Sequence, residues 1–449
     1  MTVDLIVVGT GSAAQSVAYP CREEGWSVTV VDSSPFGGTC QLRGCDPKKV
    51  LVGVSELLDW TRRMQGKGLS VPASTLVWSE MIRFKQTFVD DVPAATGESF
   101  KDAGILTVHG RAHFVDSASL RVGDETLVGR HVVIATGARH APLGIPGEEY
   151  LTTSTGFLEL AELPRRVVFV GGGYIAFEFA HVAARGGAEV QILHRGVRPL
   201  EGFDAHLVGQ LVEITRDLGV DVQVLTTVTA IEKRGDELIV HVRTGEEMRE
   251  VAADLVVHAA GRVPEIDDLN LGAAGIERAE TGGVAVNDYL QSVSNPAVYA
   301  AGDAVASGGF PLTPIAGMQG GIVATNLLQG NTRMPNYEGI PSVVFTTPPL
   351  ARVGLDEATA RAQGLRFASH QEDTSEWYSS RRVALAHTGF KTLVEDGTER
   401  ILGAHLLGLH AEETVNIFGL AVRTGLSARD LKDMVYAYPT SASDITSMV

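Results

Sequence analysis

The 449-residue chain carries 44% hydrophobic and 20% charged side chains, enough apolar material for roughly two to four ordinary globular domains. Its formal charge of −17, with no lysine- or arginine-rich run to offset it, excludes nucleic acid and anionic membrane surfaces as natural partners. Fifty glycines without a repeat period exclude collagen-like and low-complexity architectures, and three cysteines are too few for a disulfide-stapled secreted fold.

The chain passes at once into the apolar run Asp4-Leu-Ile-Val-Val-Gly9, which has neither the charged front nor the cleavage site of a signal peptide. No uninterrupted apolar segment reaches bilayer-spanning length, so a cytoplasmic protein without membrane association is expected. Residues 4–32 read strand, glycine turn, helix, strand: the apolar run ends at Gly9-Thr-Gly11-Ser12-Ala13-Ala14, and Trp26-Ser-Val-Thr-Val-Val31 leads into Asp32. Gly9 permits the tight turn, Gly11 lets backbone approach a pyrophosphate at the positive end of the helix, and small Ala14 allows close helix-strand packing. Asp32 stands where ribose hydroxyls are accepted, so this unit is predicted to bind a dinucleotide. Cys21, inside the helical segment, reads as a small buried hydrophobe.

Next comes Phe36-Gly-Gly38-Thr39-Cys40-Gln-Leu-Arg-Gly-Cys45-Asp-Pro-Lys48-Lys49. Zinc requires four ligands, and no third or fourth lies near these two cysteines, so no metal site is expected. Two cysteines five apart at the start of a helix, entered through a double glycine, can close a disulfide if that turn is distorted. A helix N-terminus also lowers a thiol pKa towards the reactive thiolate. A switchable dithiol is the inference.

A second strand-turn-helix-strand unit begins at Arg166-Val-Val-Phe-Val170 and turns at Gly171-Gly-Gly173-Tyr174-Ile175-Ala176. Its helix is predicted to run to about Gly186 and its second strand over Glu189–Leu193. Two such units imply two dinucleotides. Where an NAD site places a carboxylate, this chain has His194-Arg195, with Arg198 close behind. A guanidinium pairs with a 2′-phosphate that a carboxylate would repel, so NADPH is predicted over NADH; solvated surface arginines are the competing explanation.

Further strings follow in order: Val-Val-Ile-Ala135-Thr136-Gly137, His258-Ala-Ala-Gly261-Arg262-Val-Pro, Val298-Tyr-Ala-Ala-Gly302-Asp303, and Leu312-Thr313-Pro-Ile-Ala316. Together with GGTCQLRGCDPKK and GGGYIAFE, and over essentially the whole chain, they resemble the pyridine-nucleotide disulfide oxidoreductases, the family of glutathione reductase, dihydrolipoamide dehydrogenase and mercuric reductase. The resemblance implies an α/β fold with two Rossmann-like dinucleotide-binding domains, for FAD and NADPH, and a C-terminal α+β dimerisation domain. The boundaries expected are 1–145 (FAD), 146–265 (NAD(P)H), 266–338 completing the FAD domain, and 339–449 (dimerisation), with residues 50–110 a helical insertion. A homodimer sharing its active site across the two-fold, acting on a small-molecule oxidant, is implied.

Carried over residue by residue, the resemblance makes Cys45 the thiol facing the flavin and Cys40 the interchange thiol that attacks the oxidant. It makes Lys48 the lysine beside flavin N5 and Glu178 its ion-pair partner. Tyr174 becomes the aromatic gate over the flavin, Asp303 the carboxylate that holds the ribityl and phosphate region, and Thr313 to Ala316 the helix start facing the N1/O2 edge. Gly38, Thr39, Lys49, Thr136, Gly137, Gly261, Arg262 and Gly302 complete the expected cofactor contacts. Taken singly, Lys48 and Lys49 also read as a solvated pair, Glu178 as a helix-surface carboxylate and Tyr174 as a packing residue.

The tail departs from the family pattern. Where a His-Pro-Thr string followed by Glu supplies a proton relay, this chain has Tyr438-Pro439-Thr440, with Ser443 at the glutamate position and Asp444 one residue late. A phenol with a pKa near 10 does not cycle at neutral pH as an imidazole near 6.5 does. Mercuric reductases also place tyrosine here, but the chain ends Ser447-Met-Val449 without their terminal cysteine pair. Reduction of a small disulfide or related thiol-reactive substrate is therefore the first expectation, and reduction of a metal ion or quinone the alternative.

Overall fold

The β-branched runs at Val3–Val8, Val28–Val31 and Val132–Ile134 form the centre of a parallel sheet in the computed structural model, which describes residues 2–72 and 74–449. Two compact units emerge: the first comprises the chain up to Lys48, Phe84–Ala141 and Gly261–Tyr337, and the second comprises Lys49–Arg83, Pro142–Ala260 and Glu338–Val449.

In the first unit the strands Leu106–His109, Val28–Asp32, Thr2–Val8 and Glu125–Ile134 lie side by side in parallel, and Val298–Ala300 adds beyond Glu125–Ile134. Two antiparallel strands, Ser119–Val122 and Ala112–Phe114, extend the same sheet. The register aligns Val8 with Val31 and Ile134, and Ile134 with Ala300. The residues that follow these strands, Gly9, Asp32, Ala135–Gly137 and Gly302-Asp303, therefore gather at one carboxyl edge, where open α/β sheets bind ligands. Leu5, Ile6 and Val7 are fully buried; each such side chain contributes roughly 1.5–3 kcal/mol relative to exposure. The helix Ser12–Glu23 buries Ala13, Ala14, Val17, Ala18 and Cys21 against this sheet, the i, i+4 stripe expected of a one-sided helix. The helical reading of residues 50–110 ends early: after Val92–Asp102 the chain returns as the edge strand Leu106–His109, whose partner lies some seventy residues upstream.

The second unit holds a four-stranded parallel sheet in the order Asp221–Gln223, Glu189–Leu193, Arg166–Val170, Leu255–His258. Register pairs Val170 with both Leu193 and His258, so the turn after Gly171, His194-Arg195 and Ala259 share its carboxyl edge. The strands Thr226–Arg234, Glu237–Thr244 and Glu247–Ala253 form an antiparallel meander. From Ser342 onward comes a five-stranded sheet, Ser342–Val344, Leu350–Gly354, Ile401–Leu407, Gly389–Glu395 and Phe367–Asp373, covered by the helices Ala411–Thr424 and Ala428–Asp433. No described helix is long and apolar enough to cross a membrane.

Candidate active site

At the carboxyl edge of the first unit, glycines let backbone meet backbone. Gly9 has φ +118°, and a Cβ there would overlap the Ala135 carbonyl; Gly38 has φ +74°, and a Cβ there would overlap Gly11 Cα. The turn Gly9–Gly11 and the double glycine before the cysteines are thus pressed together. The helix starting at Ser12 has no side-chain N-cap, leaving its first N–H groups available to an anion. Asp32 is fixed from both sides: Oδ2 accepts Thr10 Oγ1 at 2.7 Å and Oδ1 accepts Ser34 N at 2.8 Å. Thr10, fully buried, also accepts the Gly37 N–H at 3.2 Å, so one hydroxyl ties the Asp32 carboxylate to the cysteine loop.

Across the same edge, a Cβ at Gly302 would lie 3.4 Å from those of Ala13 and Ala316, and the Gly302 N–H is held by Gln319 Oε1 at 2.7 Å. Burial raises the pKa of the neighbouring Asp303, an effect opposed by the Arg262 guanidinium 3.7 Å away. Arg262 itself donates to the Ala138 carbonyl. The buried Thr136 hydroxyl has no hydrogen-bond partner among the described residues. A close-packed glycine turn, an uncapped helix start, a fixed ribose-site carboxylate and an orphaned buried hydroxyl are what an FAD diphosphate and ribose require, and the residues fit that cofactor.

Cys40 lies in the short helix Gly38–Arg43, and Cys45 is the first residue of the next, Cys45–Arg63. The break falls at Gly44, where a Cβ would sit 2.8 Å from the Thr39 carbonyl oxygen. Cys45 Sγ lies 3.5 Å from Thr313 Oγ1, at the start of the 17-residue helix Thr313–Gln329. A hydrogen bond from the Cys40 thiol lowers the pKa of Cys45 to about 6; the Thr313 hydroxyl and the Lys48 charge act in the same direction, and burial opposes them. The same bond holds the proton on Cys40, whose pKa is raised, with burial adding to the effect. The pair is polarised into a thiolate at Cys45 and a thiol at Cys40. A depressed pKa means that the thiolate persists on acidification until pH passes below the folded value. Ultraviolet thiolate absorbance of the reduced protein should therefore step at about pH 6; a single step at about 8.5, the ordinary thiol value, would contradict this.

In the second unit Gly171, at φ +114°, packs on the Ala259 carbonyl, and the helix Tyr174–Arg185 starts behind Gly173 without a side-chain cap. The His194 ring rests on this turn: a Cβ at Gly172 would come within 2.7 Å of it. The two arginines differ. Arg198 donates to the Phe203 and Glu201 carbonyls at 3.1 and 3.0 Å, a loop-holding role, whereas Arg195 is exposed and makes no hydrogen bond or ion pair among the described residues. Tyr174 is 43% exposed at its helix start, and Glu178 is buried, with Oε1 accepting the Phe345 N–H at 2.8 Å. Lys49, expected among the cofactor contacts, lies over the Phe345 ring at 4.3 Å.

The tail places its polar groups apart. Ser443 and Thr440 cap each other in the short helical turn Ser441–Asp444, so the Ser443 hydroxyl is engaged with the Thr440 backbone. Burial raises the pKa of Asp444, whose carboxyl is hydrogen-bonded by Ser379. Tyr438 is 82% exposed.

The sequence profile described as pyridine nucleotide-disulphide oxidoreductase matches residues 3–320, and that of its dimerisation domain matches 340–449. The chain belongs to the pyridine nucleotide-disulphide oxidoreductase family. Similar members include a glutathione reductase of Nostoc sp. (31% identical, 99% of each chain) and a dihydrolipoyl dehydrogenase of Bacillus subtilis (31%, 97% of this chain and 93% of the other). A mercuric reductase of Staphylococcus aureus is 30% identical over 98% of this chain and 81% of its own length. Among solved structures, the Cu(II) complex of the HOCl-induced flavoprotein disulfide reductase RclA from Escherichia coli superposes with a TM-score of 0.89 at 28% identity, covering 100% of this chain and 99% of that one. The family assignment makes the chain an oxidoreductase of the flavoprotein disulfide reductase kind, whose members use FAD and NAD(P)H, and establishes the α/β fold with its dinucleotide-binding and dimerisation domains.

Proposed function

We propose that this oxidoreductase takes electrons from NADPH through FAD to the Cys40–Cys45 pair and passes them to a small disulfide or related thiol-reactive oxidant. The observation that carries this reading is the polarised pair, a thiolate at Cys45 beside a protonated Cys40. Gly9, Gly11, Ser12, Ala13, Asp32, Gly38, Thr136, Gly302 and Asp303 would hold FAD, which supplies the two-electron relay between nicotinamide and dithiol. The rest falls to the chain. The Cys40 thiol passes its proton to the Cys45 thiolate as its sulfur attacks the oxidant disulfide; a Cys40–SR bond forms, the oxidant's S–S bond breaks, and the leaving thiolate takes that proton back from Cys45. Cys45 thiolate then attacks Cys40 Sγ; the second thiolate leaves, takes a proton from water, and the protein disulfide closes with two electrons delivered.

Coenzyme choice rests on Arg195, whose guanidinium is uncommitted, rather than on Arg198. Arg195→Ala is expected to lower the NADPH-to-NADH ratio of kcat/KM by roughly 10- to 100-fold, the worth of a charged hydrogen bond. Arg198→Ala is expected to destabilise the 198–203 loop and move that ratio much less. An unchanged ratio in Arg195→Ala would remove the basis for NADPH preference.

A homodimer is part of the reading, supported by the dimerisation-domain match and by tail side chains that lack cover in one chain: Met434, Val435 and Tyr438 are 50, 93 and 82% exposed. One observation favours the second reading, reduction of a thiophilic metal ion or a quinone. The tail carries Tyr438 for the histidine, and its Ser443 and Asp444 are engaged elsewhere, so it holds no imidazole-carboxylate relay. Relatives named mercuric reductase and the Cu(II) complex of RclA are consistent with it. Turnover with Hg(II) or Cu(II) and with no disulfide would decide for this second reading.

A further inference from the structure

Asp46 follows Cys45 directly and occupies the first turn of the helix Cys45–Arg63. It is exposed, and its Oδ1 accepts the Cys40 thiol at 3.8 Å. The sulfur that meets the oxidant therefore has a carboxylate oxygen 3.8 Å away. We propose that Asp46 is a specificity-determining residue that makes the dithiol site discriminate by charge, disfavouring anionic oxidants and favouring cationic or neutral ones. This rests on the reading of Cys40 as the interchange thiol.

Three observations lead there. First, the carboxylate oxygen lies 3.8 Å from Cys40 Sγ, so any group that reaches that sulfur enters its field. Second, the charges acting on Cys40 are those of Cys45 and Asp46, both negative; Asp46 also acts on Cys45, where the Lys48 charge opposes it. The reduced site thus presents a thiolate and a carboxylate to the incoming molecule. Third, the whole chain carries a charge of −17, so the long-range field has the same sign as the local one. A carboxylate-bearing disulfide must bring its charge within a few ångströms of Asp46, while an ammonium-bearing disulfide or a metal cation is attracted.

The test compares two disulfides of similar size and opposite charge, cystamine (a dication) and 3,3′-dithiodipropionate (a dianion), with NADPH and the FAD-loaded protein. In the wild type kcat/KM is expected to favour cystamine, and Asp46→Asn, which keeps shape and removes charge, to shrink the cystamine-to-dithiodipropionate ratio by about tenfold. Asp46→Glu should retain the preference. Raised ionic strength should shrink the wild-type ratio too, and leave that of Asp46→Asn less affected. A second measurement needs no turnover: the reduced protein is alkylated with iodoacetamide or iodoacetate, and modification of Cys40 is followed by mass spectrometry. Asp46→Asn should accelerate the anionic reagent relative to the neutral one. If neither disulfide turns over, the disulfide-reductase reading falls and the alkylation ratio alone decides the role of Asp46. Ratios unchanged by Asp46→Asn in the measurements available overturn the proposal.

Discussion

Replacing Cys40 by Ser is expected to lower NADPH-dependent disulfide reduction by on the order of 10³-fold or more, because the hydroxyl cannot form the mixed disulfide with the oxidant. Reduction of quinones, which draw electrons without the dithiol, should persist in the same variant. In Cys40→Ala, which leaves no donor, Cys45 would lose the hydrogen bond that contributes most to its depressed pKa, so its thiolate titration should move upward. The combination is diagnostic. A folding defect would lower both activities, and a wholly dithiol-independent enzyme would keep both.

The second large effect is expected at Gly38. Its φ of +74° already disfavours a side chain, and the atoms a Cβ would meet are all backbone atoms of Gly11, which no rotamer change can move aside. Gly38→Ala must therefore separate the first nucleotide turn from the cysteine loop, at a cost of at least about 2–4 kcal/mol, and should leave the protein largely without FAD. Gly25 supplies the control. It too has positive φ, +85°, but open space where the Cβ would go, so Gly25→Ala should cost only about 1 kcal/mol and keep its flavin. Thermal unfolding and the flavin-to-protein absorbance ratio measure both variants. A yellow, stable Gly38→Ala protein would refute the close packing of the two turns.

These expectations draw on features of unequal legibility. Local pattern gave the second nucleotide unit almost residue for residue: Arg166–Val170 and Glu189–Leu193 are the strands read from apolar runs, and the helix ends at Arg185, before Gly186. Apolar periodicity and glycine position are short-range signals, so they survive in a sequence read by itself. What escaped is long-range. The Thr313 hydroxyl touches Cys45 across 268 residues, a contact that the helix-start reading of Thr313 does not contain, and Thr10 reaches Asp32 across 22, although nothing in sequence separates Thr10 from any other threonine. Leu106–His109 is illegible as a strand in sequence because four residues carry no period of their own, and only pairing with Val28–Asp32 defines it.

The site shows the same division. Cysteine spacing points to a switchable pair, but which thiol holds the proton depends on the hydrogen bond between the two and on the Lys48 charge. Arg195 and Arg198 were equivalent in sequence until the Glu201 and Phe203 carbonyls engaged one of them. Lys49 was grouped with Lys48 by adjacency, although successive helix positions point about 100° apart, and it rests on Phe345. A carboxylate in the first turn of a helix is ordinary in sequence, and only its distance to Cys40 sets Asp46 apart.

The central claim is that electrons from NADPH reach the Cys40–Cys45 pair. Its most direct test is anaerobic titration of the oxidised, FAD-loaded protein with NADPH, quenched with iodoacetamide and mapped by mass spectrometry. Stoichiometric NADPH should open the disulfide, expose Cys40 and Cys45 to alkylation, and leave Cys21, which is fully buried, unmodified. A long-wavelength absorbance band should rise with the two thiols. Flavin bleaching with both cysteines still locked in their disulfide would contradict the account.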